Sequence, residues 1–166
     1  MIDITKISNK YSIRVLSVSG IDPILKIYKQ NPLFYNYTSS QPTREQVISD
    51  MTITPRGIDP SDKYFFGFIE NNDLIAIMDL VDGYPKPEIA FIGLFMMNQE
   101  YQGRQIGTEI ISETAEYLRA LGKAAIRLAI DKGNPQSTHF WKKNGFDVIN
   151  EVEINGWTKM IAERVL

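Results

Sequence analysis

Residues 92–107 read IGLFMMNQEYQGRQIG: the end of an apolar strand, a polar turn, and two glycines, Gly103 and Gly107, leading into a helix. The strand opens at Ile89 and runs to Met97. After the turn the apolar period changes to 3.6, with Ile106, Ile110, Ile111, Ala115, Leu118 and Leu121 on one face and Glu109, Glu113, Glu116 and Arg119 on another. A strand–loop–helix of this kind makes an anion site. The first amides of a helix have no intrahelical partner, and the helix dipole adds about half a positive charge there. Glycine lets such a backbone approach a phosphate with no Cβ in the way. No GxxxxGK[ST] and no GxGxxG after a strand is present, so neither a nucleotide P-loop nor a dinucleotide fold is supported.

Downstream, Gly122 ends the helix, and Ala124–Ile130 alternates as a strand. Pro135–Lys143 reads as a short helix stopped by Asn144-Gly145. Phe146–Ile154 and Trp157–Val165 form a hairpin across Asn155-Gly156. Upstream, Tyr64–Glu70 and Leu74–Val81 flank Asn71-Asn72-Asp73 as another hairpin, and with Ile89–Met97 they make an antiparallel meander. Before it come a strand at Tyr11–Ser17, a helix over Gly20–Gln30, an aromatic loop over Asn31–Ser40, and a helix opening at Thr43, which has capping-box spacing to Gln46. The predicted order is β-α-α-β-β-β-α-β-α-β-β. This is an α/β (α+β) chain with a mixed, mostly antiparallel sheet of seven strands and four helices, read as one domain over 1–166.

The composition narrows the chemistry. The 166 residues contain no cysteine, which excludes disulfides, thiolate metal sites and a cysteine nucleophile. A single histidine, His139, rules out a His-rich metal site, and no metal is expected. Eighteen Lys/Arg against twenty Asp/Glu fits a nucleic-acid binder poorly. No apolar run is long enough to span a membrane, and MIDITKISNK lacks the form of a signal peptide, so a cytoplasmic protein is expected. Residues 98–145 hold seven Lys/Arg and five Asp/Glu, a local positive bias that suits an anionic ligand.

Two motifs together resemble the GNAT (GCN5-related) N-acetyltransferases. That family's pyrophosphate loop is Q/R-x-x-G-x-G/A. Here Gln102-Gly103-Arg104-Gln105-Ile106-Gly107 matches its first and last positions, while Gln105 replaces the middle glycine. About 30 residues on, Asn134–Phe146 (NPQSTHFWKKNGF) is similar to the family's N-x-x-A/S-x-x-F-Y-x-x-x-G-F helix, with Ser137 and Phe140 in place. The resemblance implies the GNAT fold and acetyl-CoA as the acyl donor. It implies that backbone groups near Phe95 and Met97 pair with the pantetheine arm. Gln102 and the stretch Gly103, Arg104, Gln105, Ile106, Gly107 and Thr108 would hold the pyrophosphate. Asn134 and Ser137 would bind the pantetheine, Phe140 and Trp141 would pack along it, and Lys143 would reach the adenosine phosphate.

The resemblance further implies direct acyl transfer to the primary amine of a small molecule or peptide. The alternative is a catalytically silent acyl-CoA sensor or interaction module, suggested by the loss of the family's tyrosine at Trp141 and of its middle loop glycine at Gln105. Trp141 stands where the family often has a tyrosine, and indole is a hydrogen-bond donor, not a proton donor. Phe91 stands where some members carry a catalytic glutamate. The available proton carriers are Asp79, within an apolar strand, Glu88, Tyr84 on a turn, and His139. Asp79 shares a face with Ile75 and Ile77, so burial would raise its pKa toward neutrality. Leu33–Tyr37 lies where the family often builds its acceptor pocket, and an exposed final strand would offer an edge for a homodimer.

Overall fold

A computed structural model describes residues 1–166. Eleven regular elements appear: β1 (Ser12–Val15), α1 (Ile21–Lys29), α2 (Arg44–Thr52), β2 (Lys63–Glu70), β3 (Asp73–Asp82), β4 (Ile89–Met97), α3 (Ile106–Ala120), β5 (Ala125–Asp131), α4 (Pro135–Lys143), β6 (Asp147–Ile154) and β7 (Trp157–Val165). Their order is the predicted one. The expected aromatic loop instead contains a 3-10 turn over Pro32–Tyr37, opened by the proline. Thr43 caps α2, its hydroxyl accepting from the Gln46 amide at 3.1 Å. The reciprocal half of that box is not made, because Gln46 Nε2 donates to Asp50 instead.

All seven strands form one sheet in the order β1-β2-β3-β4-β5-β7-β6. Only β4 and β5 run parallel, joined through α3. The hairpin β2–β3 turns on Asn71 and Asn72, both at positive φ (48° and 67°), the twist a two-residue turn needs. The final strand is not an edge: β7 lies between β5 and β6, so the free edge on that side belongs to β6.

Two cores sandwich the sheet. On one face, Ile110, Ile111, Ala115 and Leu118 of α3 and Trp141 of α4 pack against Phe66, Met78, Leu80, Ile92 and Leu128. On the other, Ile24, Ile27 and Tyr28 of α1 and Val47 of α2 cover Phe65, Ile77, Leu94 and Met96. The first eleven residues form an apolar strap on the α3 side, with Ile2, Ile4, Ile7 and Tyr11 all buried. The strap also claims part of α3's charged face. Ser8 Oγ and the Asn9 amide donate to Glu113, and the Tyr11 hydroxyl donates to Glu109 at 2.9 Å. No helix is long and apolar enough to cross a membrane.

Candidate active site

The site begins where β4 and β5 part. Their parallel ladder runs from Ile89↔Ala125 to Ile92↔Leu128 and stops. Beyond it β4 pairs only with β3, and β5 only with β7. The ladder to β3 shifts register at the same point, with Asp79 opposite Leu94 and Leu80 opposite Ile92, so Gly93 is the extra residue of a bulge. The Asn98 amide donates to the Ile75 carbonyl at 2.8 Å, which fixes the ladder's phase. By antiparallel alternation, Phe95 and Met97 then turn their N–H and C=O groups away from β3 and into the gap.

The Met97 carbonyl is already engaged. It accepts from Asn31 Nδ2 at 3.0 Å and Gln102 Nε2 at 3.3 Å, and Gln102 also donates to Asn31 Oδ1 at 2.9 Å. The Gln102 side chain is therefore a latch that ties the loop to β4 and to Asn31, just past α1. After it, Gly103 (φ 71°) and Gln105 (φ 65°) both adopt left-handed backbone. The first amide of this stretch with a protein acceptor is that of Glu109, which donates to the Gln105 carbonyl at 3.0 Å. No side chain caps α3. Six consecutive amides, Gly103 to Thr108, thus have no protein partner, at the positive end of a 15-residue helix.

A groove of about 440 Å³ runs from this loop to the gap. Its apolar wall is aromatic. Phe95 and Phe140 stack with ring centroids 5.8 Å apart, and Trp141 meets both edge-on. Gly107 lies beneath them, and a Cβ there would come within 3.1 Å of the Phe140 ring. Asn134 is buried at the head of α4. Its Oδ1 accepts from the Ser137 amide at 3.1 Å, while its Nδ2 has no protein acceptor. Lys143 donates to Gln105 Oε1 at 3.1 Å at the outer end. Of the residues nominated from sequence, Phe95, Met97, Gln102, Gly103, Gln105, Gly107, Thr108, Asn134, Ser137, Phe140, Trp141 and Lys143 line the groove. Two do not. The Arg104 side chain lies over the Tyr101 ring, and that of Ile106 packs into the core, so only their unpartnered amides remain available. Asn31, Met96, Tyr101 and Gln136 also line the groove and were missed, since none carries a spacing signal.

The acetyltransferase (GNAT) family model matches residues 24–146. The chain belongs to the GNAT family. An acetyltransferase from Thermus thermophilus is structurally similar, with a TM-score of 0.73 at 20% identity over 95% of this chain and 97% of that one. PaiA N-acetyltransferase from Thermoplasma acidophilum, solved in complex with coenzyme A, gives 0.67 at 17% identity over 94% and 99%. An uncharacterized N-acetyltransferase of Methanocaldococcus jannaschii is 27% identical over 81 residues. That match spans 49% of this chain and only 35% of the relative.

The four candidate proton carriers of this GNAT chain separate in space. Glu88 is exposed just before β4, at the end of the strand remote from the gap. Tyr84 lies at the same remote end, its ring edge-on to Phe91 at 5.3 Å. His139 is exposed on α4 and outside the groove. Asp79 alone sits at the gap. It lies across from Leu94 and Phe65, on the α1–α2 side of the sheet and opposite the aromatic groove. Its carboxylate rests against the exposed bulge residue Gly93, where a Cβ would collide with Oδ2 and lie 3.1 Å from Cγ. Lys63 Nζ bridges both its oxygens, at 2.7 and 2.8 Å. Burial pushes the Asp79 carboxyl up to about 6, against the pull of Lys63. No group of three or more His, Asp or Glu side chains is arranged to hold a metal.

Proposed function

We propose that the protein is an acetyl-CoA-dependent N-acetyltransferase acting on the primary amine of a small molecule or peptide, with Asp79 as the proton acceptor. The observation that carries this reading is the pairing of six unpartnered amides at the mouth of the groove with a buried carboxylate across the β4–β5 gap. The donor set fits coenzyme A. A pyrophosphate needs several N–H donors free of other duties, and Gly103 to Thr108 supply them, with space open beside Gly103. The free Asn134 Nδ2 and the Phe95 backbone, turned into the gap, suit the amide-bearing arm, which would pair as an added strand. The bound cosubstrate supplies an activated thioester.

The protein's own groups then have separate tasks. The Phe95 N–H donates toward the developing oxyanion. The Trp141 indole N–H has no protein acceptor and borders the groove, so it stabilises a departing thiolate by hydrogen bonding without giving up its proton. Asp79 takes a proton from an ammonium arriving at Gly93 from the α1–α2 side. Donor and acceptor thus enter from opposite faces of the sheet and meet at the gap.

Isothermal titration with coenzyme A tests the groove, and thiol release from acetyl-CoA across a panel of polyamines, amino acids and dipeptides tests turnover. Micromolar binding with amine-dependent thiol release is expected. Absence of binding at millimolar coenzyme A refutes the reading. Binding without thiol release for any amine favours the silent module.

A further inference from the structure

We propose that Asn31, two residues past the end of α1, is a positioning residue for the cofactor: acting through Gln102, it holds the run of free amides from Gly103 to Thr108 in the arrangement that receives a pyrophosphate. This rests on the reading of that loop as the coenzyme A site and adds what keeps it in shape.

The loop does little to hold itself. Gly103 and Gln105 both stand in left-handed backbone, and no side chain caps the helix that follows. Amides without acceptors in a short turn tend to swing toward water or a neighbouring carbonyl unless something fixes the chain on either side. Ile106 fixes the far end by packing into the core. The near end is fixed at Gln102, by a side chain 71 residues away in sequence. Asn31 Oδ1 accepts from Gln102 Nε2 at 2.9 Å, while its Nδ2 donates to the Ile27 carbonyl at 2.9 Å and to the Met97 carbonyl at 3.0 Å. Both its N–H groups and its oxygen are thus in use, toward α1, β4 and the loop. The amide fits only this way round. Reversed, its oxygen would face two carbonyls and its nitrogen would face Gln102 Nε2. A carboxylate fails for the same reason, having no N–H to give. Beside it, the Gln99 amide donates to Gln30 Oε1 at 3.3 Å, so two adjacent residues at the end of α1 grip the connection between β4 and α3. The Gln102 side chain, nominated to hold the pyrophosphate, is engaged by these protein partners. Gly103, Arg104 and Gln105 hang between two anchored points, and their side chains add only surface contacts, Arg104 with Tyr101 and Gln105 with Lys143.

Calorimetric titration of coenzyme A into the full chain reads the effect directly. Wild type binds. Asn31→Leu, which keeps the branched shape and removes all three hydrogen bonds, weakens affinity about tenfold. Gln102→Leu weakens it to a similar extent, and the double variant binds no worse than the weaker single one, because both changes remove one contact. A second measurement separates positioning from general loss of structure. With the best amine of the panel, Asn31→Leu loses about tenfold in kcat/KM with acetyl-CoA but at most about twofold with S-acetylpantetheine, which has no pyrophosphate to place. If Asn31→Leu does not fold, Asn31→Asp and Gln102→Leu carry the same comparison. Coenzyme A affinity unchanged in the Asn31 and Gln102 variants overturns the proposal, as do additive losses in the double variant or equal losses with the two donors. Failure of wild type to bind coenzyme A at millimolar concentration overturns instead the assignment of the loop.

Discussion

Gly93→Ala isolates the placement of the carboxylate from its presence. The φ of Gly93 lies outside the left-handed region, so alanine meets no backbone objection there. The cost is spatial. The added Cβ lands on Asp79 Oδ2 and 3.1 Å from Cγ, and the carboxylate cannot swing aside freely because Lys63 holds both oxygens. Relief requires breaking a buried ion pair, which costs ~3 kcal/mol, or an equivalent shift of β4 at its bulge. For a domain of this size that is a fall in Tm of roughly 6–12 °C. The assay is urea unfolding at pH 7.5 of a double-mutant cycle. Gly93→Ala is introduced into wild type and into a Lys63→Met/Asp79→Ala background, where the space is open and the pair is gone. In that background the same substitution costs under ~1 kcal/mol. Equal costs in both backgrounds would show that Asp79 does not occupy the Gly93 Cβ volume, and the placement of the carboxylate at the gap would fail.

Gly107→Glu, which puts bulk and negative charge beneath Phe140 and beside the free amides, lowers coenzyme A affinity at least ~100-fold by titration calorimetry; unchanged affinity would remove the loop from the binding site. Gln105→Gly relieves a left-handed residue and raises stability by about 0.5–1 kcal/mol in urea unfolding, while a loss would mean that the Lys143 contact outweighs the strain. The Asp79 carboxyl stands at about 6 in the fold against an ordinary 3.8, so its contribution is fully present below pH ~4 and is lost as pH rises through ~6. The stability difference between wild type and Asp79→Asn should accordingly fall by ~2 kcal/mol from pH 4 to pH 6, and by ~3 kcal/mol from pH 3 to pH 7.5, and a flat difference would contradict the burial of an ionising group there.

What the sequence made legible is what local chemistry dictates. Strand and helix periods, the Asn71-Asn72 and Asn155-Gly156 turns, the Thr43 cap and the helix stops at Gly122 and Asn144-Gly145 are decided within a few residues, and each appears where its pattern lies. The run of free amides was legible for the same reason, because amides at a helix start are free unless something nearby caps them. The Arg104 side chain was not legible, because a surface arginine answers to whichever ring lies nearest, here Tyr101. The N-terminal strap carried no motif. It is held by apolar burial and by Glu109 and Glu113, about a hundred residues away.

The proposed proton acceptor falls between these cases. Asp79 stood out as a lone acid in an apolar strand, but its distinction from Glu88 and Tyr84 depends on register, which one bulge decides. Without the extra residue at Gly93, every β4 side chain beyond it would change face relative to β3. Asp79 would then lie against a different neighbour, and Phe95 would turn its N–H toward β3 instead of into the gap. One glycine therefore does two things. It turns the Phe95 N–H into the gap, and it leaves the volume that the carboxylate fills. Both requirements meet in Gly93, so its substitution should disturb oxyanion stabilisation and proton removal together, whereas Asp79→Asn should disturb only the second.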